Sequence, residues 1–154
     1  MKKIFFAVAL VLVFTGSCFA QEIVFVGNWA VMIHTSALDG SKELVAMQFT
    51  EDHKGTFGVS YDGRIITAMF VGSDYLGMNN IATMRYSIDY GPVKSTSVNM
   101  SNTAAKVMNI SFIEELFFHD RLVVAITSYR GVTKEYIYTI TGLAEAVTYM
   151  ASHF

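Results

Sequence analysis

The sequence predicts a mainly β protein of the α+β class, either an antiparallel β-sandwich or one strongly curved sheet of about seven to eight strands. Apolar and polar residues alternate with a period of two over most of the chain, as in half-buried strands. Turn residues such as Asp-Gly and Arg-Gly separate the apolar segments. Helical spacing is confined to one short segment and to the C-terminus, so we expect two helices against the sheet.

Residues 1–20 have the features of a bacterial signal peptide. Two lysines precede an uninterrupted apolar run at residues 4–14, and small residues before residue 21 suit cleavage after Ala20. The apolar run is too short for a membrane span, which needs roughly 20 residues. We therefore predict a cleaved signal peptide and one periplasmic, strand-rich domain, residues 21–154.

Residues 15–18 (Thr-Gly-Ser-Cys) leave a second processing route open. They resemble the site at which bacterial lipoproteins are cut before a lipidated cysteine, and lipidation would anchor the protein to the membrane through Cys18. Cys18 is the only cysteine in the sequence. A chain that starts at Gln21 therefore folds without disulfides.

Charge and composition exclude several classes of partner. Removing Lys2 and Lys3 leaves 9 basic against 13 acidic residues, a net charge of about −4 with no basic patch, so no nucleic-acid partner is expected. The sequence contains no Gly-rich phosphate loop and no metal-ligand spacing of its histidines. We expect neither a metal nor a small-molecule cofactor.

Strands are predicted in order along the chain wherever this alternation recurs. The segments are 29–35, 43–50, 57–61, 64–71, 82–90, 94–100, 106–110, 122–129 and 134–140. Asp62-Gly63 predicts a two-residue hairpin turn, and residues 130–133 predict a second hairpin. Residues 122–126 are apolar on both faces, which is typical of a central strand covered on both sides.

Two helices are predicted. Ser111 and Glu114 fit a capping box that opens a short helix near 112–118, with Glu115 at its positive end and His119 at its negative end. The second helix begins after Thr141 and ends near residue 152. Its apolar residues recur at helical spacing and form one stripe for docking on the sheet, namely Leu143, Ala146, Val147 and Met150.

The densest group of titratable residues is Glu114, Glu115, His119 and Asp120. General acid–base catalysis needs two such groups that face a substrate with separated pKa values. Helix capping and dipole complementarity already account for most of this group. We therefore predict no catalytic site and no enzyme.

Four residues are candidates for binding a partner. Arg85 and Asp89 share the polar face of the predicted strand 82–90, where each is free to pair across strands. Asp74 and Tyr75 belong to the loop 72–80, and the loop 36–42 is a second candidate. Trp29, the only tryptophan, is interpreted as a core anchor because Val31 continues its face.

Several weak motifs occur in an order that resembles a known family. They are Trp29-Ala30-Val31 with Ser36-Ala37-Leu38-Asp39-Gly40-Ser41-Lys42, Gly58-Val59-Ser60-Tyr61-Asp62-Gly63-Arg64, Met84-Arg85-Tyr86-Ser87-Ile88-Asp89, Phe112-Ile113-Glu114-Glu115-Leu116 with Leu122-Val123-Val124, and Thr139-Ile140-Thr141-Gly142-Leu143-Ala144-Glu145-Ala146. Together they resemble the TagO or VasI family, small periplasmic proteins that accompany type VI secretion. That pattern has cysteines where Tyr61 stands and around His153. This chain lacks both, as expected if they normally bond to each other.

The resemblance implies a non-enzymatic accessory protein of the cell envelope that acts by binding an envelope or periplasmic protein. An alternative is a periplasmic inhibitor or immunity protein, possibly carried by a phage, against a cell-wall hydrolase or a toxin. Such a protein would insert a loop into an enzyme's cleft, with residues 72–80 and 36–42 as the candidate loops. The membrane is a partner only if Cys18 is lipidated.

Overall fold

A computed structural model describes residues 22–154 except 37, 51, 53, 73–76 and 129; the side chains of residues 77–80 are also left out. The predicted signal peptide with Cys18 and the candidate residues Asp74 and Tyr75 lie outside the described residues. All strands belong to a single sheet in which every neighbouring pair is antiparallel. The prediction of a mainly β protein is confirmed.

Within the described residues the sheet contains ten strands rather than seven to eight. They are β1 (Glu22–Val26), β2 (Trp29–Thr35), β3 (Lys42–Phe49), β4 (Gly55–Tyr61), β5 (Ile66–Gly72), β6 (Gly77–Ile88), β7 (Lys94–Asn102), β8 (Ala104–Val107), β9 (Arg121–Thr127) and β10 (Thr133–Thr139). Their order across the sheet is β1-β2-β3-β4-β5-β8-β7-β6-β9-β10. Each of the nine predicted segments overlaps one of these strands, whereas β1, which is apolar after Glu22 and does not alternate, was not predicted.

The inner face of the sheet carries the main core. Trp29, Phe57, Phe70 and Tyr138 are all buried there, and their rings contact one another across strands that are far apart in the sequence. The interpretation of Trp29 as a core anchor is confirmed. Such aromatic contacts add about 0.5–1.5 kcal/mol each beyond the area they bury.

The sheet bends so that its last strand lies over strands in its middle. Gly55 and Gly72 are opposite each other on β4 and β5, and Tyr136 of β10 rests on both. A Cβ atom on Gly72 would lie 2.4 Å from the Tyr136 hydroxyl oxygen. The two glycines therefore provide the space that this bend requires.

The hairpin between β4 and β5 has a longer loop than the predicted two-residue turn. Arg64 and Ile65 belong to the loop, and β5 begins at Ile66. The Asp62 carboxylate accepts hydrogen bonds from the amides of Arg64 (2.9 Å) and Ile65 (2.8 Å). The loop therefore closes around the aspartate side chain instead of the Asp-Gly backbone alone. The second predicted hairpin, between β9 and β10, is confirmed.

Both predicted helices are present, as α1 (Ile110–Leu116) and α2 (Leu143–His153). The capping box is wrong: Asn109 is the N-cap, and its side chain accepts a hydrogen bond from the amide of Ser111. The apolar stripe of α2 is confirmed, since Leu143, Ala146 and Met150 are buried. No helix in the described ranges is long and apolar enough to cross a membrane.

The C-terminus of α2 contacts the hairpin that precedes β5. The Tyr61 and Phe154 rings meet edge to face at 5.2 Å between centroids. Gly63 lies directly under Phe154, since a Cβ atom there would be 2.0 Å from the ring. An aromatic contact therefore joins the C-terminal end of the chain to the β4–β5 hairpin.

The strand β9 is not central. Only β10 lies beyond it, and its outward residues Val123 and Ala125 are half-buried rather than covered. The sequence could not reveal this, because an apolar residue facing outward looks the same in a central strand and in one near the edge.

Candidate functional site

Asp89 was predicted as the last outward residue of a strand, but it lies in a turn. The strand β6 ends at Ile88, and Asp89 and Tyr90 adopt positive φ angles of 45° and 62°. The amide of Gly91 donates to the carbonyl of Ile88 at 2.7 Å, which closes a four-residue turn. Two consecutive positive φ angles are typical of a type I′ turn, in which Asn and Gly are the preferred residues.

The Asp89 carboxylate joins this turn to the turn between α1 and β9. His119 Nδ1 donates to Asp89 Oδ2 at 2.8 Å, and the amides of Asp120 and Arg121 donate to Asp89 Oδ1 at 3.2 and 2.8 Å. The hydrogen bond from His119, followed by those from the two amides, lowers the pKa of Asp89 below its usual value. We name these four residues the Asp89 latch.

The latch continues into the start of α2. Asp120 Oδ1 accepts a hydrogen bond from the Thr141 hydroxyl at 2.8 Å, and the Asp120 carbonyl accepts one from the Ile140 amide at 2.7 Å. The Trp29 indole N–H in turn donates to the Thr141 carbonyl at 3.0 Å. The two turns are therefore tied to the buried core through three successive contacts.

Beside the latch, the two turns expose large apolar side chains next to a half-buried arginine. Tyr90 is 82% exposed and Phe118 is 89% exposed, and Val93 is also exposed. The Arg121 guanidinium lies over the Tyr90 ring at 4.3 Å from its centroid. We name Tyr90, Val93, Phe118 and Arg121 the turn surface.

The chain shares its fold with a known protein structure. No protein-family model and no curated protein sequence matches the chain. The structure is similar to the crystal structure of invasion associated protein B from Bartonella henselae, with a TM-score of 0.61 and 8% sequence identity. That match covers 85% of this chain and 95% of the other. At this identity the likeness is one of fold alone.

The structure separates the predicted titratable group. His119 and Asp120 belong to the latch, whereas Glu115 binds Lys94 and accepts a hydrogen bond from the Tyr86 hydroxyl at 3.2 Å. The Glu115 contact raises the pKa of Lys94 above its usual value. Glu114 is exposed on α1. Across the described ranges, no group of three or more His, Cys, Asp and Glu side chains is arranged to hold a metal ion.

Arg85 and Asp89 are not brought together. Arg85 is exposed on the outer face of β6, opposite Ser95 on β7 and Ala125 on β9. Asp89 instead faces the turn before β9. The latch therefore unites one predicted partner-binding residue with two members of the titratable group.

The predicted loop 36–42 is closed by its own polar groups. The amide of Ser36 donates to the Ser41 carbonyl at 2.8 Å, and the amide and hydroxyl of Ser41 both donate to Asp39 Oδ1, at 3.0 and 2.7 Å. Hydrogen bonds from the hydroxyls of Ser36 and Ser41 lower the pKa of Asp39 from 3.8 to about 2. Leu38, within this loop, is 99% exposed.

Three residues of the turn surface, Tyr90, Phe118 and Arg121, were not predicted from the sequence. Period-two alternation assigned Tyr90 to the apolar face of the preceding strand, which ends two residues earlier. One signal was present: Phe117-Phe118 ends a short amphipathic helix, and only one of two adjacent rings can face the core. Phe117 packs against the core and Phe118 does not.

Proposed function

We propose that this chain is a non-enzymatic accessory protein of the cell envelope, which binds another envelope protein through the turn surface. The observation that carries the proposal is the conformation of Tyr90. A bulky residue at positive φ is strained by about 1–2 kcal/mol relative to glycine. Tyr90 accepts this strain while its ring stays almost wholly exposed, so core packing does not offset it. Residues held in strained conformations concentrate at functional sites.

The composition of the turn surface supports protein binding. Tyrosine and arginine are enriched among the residues that dominate binding energy, and neighbouring apolar residues exclude water around them. The Asp89 latch holds the two turns in one arrangement before any partner arrives, which lowers the entropy cost of binding.

The charge of the turn surface indicates the chemistry of its partner. Arg121 forms no ion pair with any side chain in the described part of the protein. A fitting partner presents an apolar pocket for Tyr90 and Phe118, with a carboxylate at its rim for Arg121.

Location in the cell envelope is part of the proposal. Export rests on the signal peptide with cleavage after Ala20, and the lipoprotein route through Cys18 is its alternative. A place beside type VI secretion rests on the motif resemblance. The intact mass of the protein from a Gram-negative periplasm tests this location. A mass that starts at Gln21 is the expected result. A mass that starts at a diacylated Cys18 would instead assign the protein to a membrane face.

The binding proposal is tested by comparative capture. The mature wild-type chain, Phe118→Asp and Ile81→Asp are immobilised and exposed to periplasmic extract. Ile81 is the matched control, because it is 77% exposed on β6, away from the two turns. We expect one envelope protein to be retained by the wild type and Ile81→Asp and lost from Phe118→Asp, with the same order for the purified partner. Equal retention by all three variants contradicts the proposal.

Leu38 favours a second candidate function, inhibition of an enzyme. A fully exposed leucine on a loop that is already closed by hydrogen bonds fits insertion into an apolar cleft, as in the predicted inhibitor or immunity protein.

This second function makes a different prediction from the first. In assays of lysozymes and cell-wall amidases, Leu38→Asp abolishes inhibition, whereas Phe118→Asp leaves it unchanged. Inhibition that depends on Phe118 instead assigns the activity to the turn surface. No inhibition by the wild type removes this candidate.

A further inference from the structure

One edge of the sheet has the properties of an interface between copies of this chain. The strand β1 is the end of the strand order, and within the described residues it pairs with β2 alone. The backbone N–H and C=O groups along its other side are therefore available to another strand. The partner that such an edge accepts is an extended chain.

The two edges of the sheet differ in how they are protected. Natural edge strands usually carry charges, prolines or bulges that discourage pairing. The strand β10 at the other end carries Lys134 and Glu135, both exposed. The strand β1 carries one charge, Glu22 at its start, and has no further charge, no proline and no glycine. The unguarded edge is thus β1.

The apolar residues on the outer face of the sheet extend as far as β1, where no further strand covers them within the described residues. Ile23 and Phe25 point outward from β1, opposite Met32 and Ala30 on β2. Met32 and Met47 form a small cluster with Ile23 and Val45, separate from the main core. Phe25, at the border, remains 60% exposed. A second strand beside β1 would extend this face.

We propose that β1 pairs antiparallel with β1 of a second copy around a two-fold axis centred on Val24. This register places Ile23 opposite Phe25 of the second copy on the outer face, an apolar cross-strand pair formed twice. It places each Glu22 opposite Val26 of the other chain, so the two carboxylates lie at opposite ends. A second copy is favoured over another protein's strand because a two-fold pair consumes both β1 edges and closes.

Cross-linking through a single cysteine tests the register. A chain that starts at Gln21 contains no cysteine, so Val24→Cys introduces the only one. Opposed residues in an antiparallel pair have Cα atoms about 4.5–5.5 Å apart, within reach of a disulfide. The two Glu22 residues would be about 14 Å apart, so Glu22→Cys is the matched control. We expect a covalent dimer from Val24→Cys and none from Glu22→Cys.

Sedimentation velocity over a concentration series tests the contact itself, on protein from the periplasm whose N-terminus is verified by mass. We expect a reversible dimer that Phe25→Lys weakens by about tenfold or more, because the ammonium group would face Ile23 of the other copy. Ile81→Lys, on an exposed strand position inside the sheet, leaves the dimer unchanged. A wild type that stays monomeric up to hundreds of micromolar, equal dimerisation of Phe25→Lys, or equal cross-linking of Glu22→Cys overturns the proposal.

Discussion

At the scale of single residues, a substitution at Tyr90 should affect stability and partner binding differently. Replacing it with glycine removes about 1–2 kcal/mol of strain at positive φ, offset by about 0.5–1 kcal/mol of extra unfolded-state entropy. We expect Tyr90→Gly to leave the free energy of unfolding unchanged or to raise it by up to about 1.5 kcal/mol. The same change should abolish capture of the partner.

Urea denaturation and the capture assay measure the two effects of Tyr90→Gly separately. Tyr90→Ala is the control, because it removes the ring and keeps the strained backbone, and it should be less stable than Tyr90→Gly. Retained capture by Tyr90→Gly would show that the ring is not part of the binding surface.

A second prediction at this scale concerns two buried tyrosines, one whose hydroxyl has a hydrogen-bond partner and one whose hydroxyl has none among the described residues. The Tyr138 hydroxyl is buried and has no hydrogen-bond partner among the described residues, and burial raises its pKa above the usual value. The Tyr86 hydroxyl donates to Glu115. Tyr138→Phe should therefore leave the free energy of unfolding unchanged or raise it, whereas Tyr86→Phe should lower it by about 1 kcal/mol.

Thermal and urea unfolding of these two variants provide the comparison, and each serves as the other's control because both remove one hydroxyl. If Tyr138→Phe is the more destabilised variant, the Tyr138 hydroxyl has a partner in solution and the account of its burial is wrong.

At the scale of elements, three successive hairpin loops use the same device. Asp39, Asp52 and Asp62 each accept a hydrogen bond from the amide two residues later, as in an Asx turn. Hydrogen bonds from the Thr50 hydroxyl and from Lys54 lower the pKa of Asp52 from 3.8 to about 2, and the pKa values of Asp39 and Asp62 are also lowered. All three loops therefore prefer the ionised carboxylate.

This preference predicts how stability depends on pH. A carboxylate with a lowered pKa in the folded state contributes stability above about pH 4, and the contribution is lost as the pH falls toward about 2. Urea midpoints measured across this range should fall for the wild type and fall less for Asp52→Asn, which keeps an acceptor oxygen and does not titrate. Glu114→Gln, at an exposed carboxylate without a side-chain hydrogen bond in the described part of the chain, should match the wild type. An identical fall for Asp52→Asn contradicts the prediction.

The elements themselves were largely predictable, because their signals are local. The alternation over 57–61 and the helical stripe of α2 depend on residues next to each other in the sequence. The boundaries of the elements were less predictable. Asn and Ser are both good N-cap residues, so the sequence did not show whether Asn109 or Ser111 caps α1. The end of β6 depended on Asp89 finding its partners, which lie some thirty residues further along the chain.

At the scale of the whole molecule, the strand order could not be predicted. The arrangement β5-β8-β7-β6-β9 places strands from distant parts of the sequence side by side, and alternation shows which face of a strand is buried but not which strand is its neighbour. The turn surface and the β1 edge both follow from this order. Neither surface could therefore be predicted from the sequence, although Asp89 beside the turn surface was named.

The bend that brings β10 over the middle of the sheet makes the last prediction. A Cβ atom on Gly55 would lie 2.9 Å from Tyr136 Cδ1, 3.1 Å from the Tyr138 hydroxyl oxygen and 3.2 Å from Thr50 Cγ2. These neighbours, two on β10 and one in the loop between β3 and β4, cannot all move away. Gly55→Ala should therefore lower the free energy of unfolding by about 1–3 kcal/mol. Gly58, on the opposite face of the same strand, has its nearest neighbour at 3.5 Å.

Gly58→Ala is therefore the matched control, and it should be neutral or stabilising by up to about 1 kcal/mol, since glycine is unfavourable inside a strand. Urea denaturation measures both variants, and near-ultraviolet circular dichroism reports whether the tyrosines of β10 keep their environment. Because the bend presses β10 onto β4, Gly55→Ala should change the tyrosine signal and Gly58→Ala should not. Equal stability of the two variants would mean that β10 does not rest on Gly55, and that the sheet is flatter in solution.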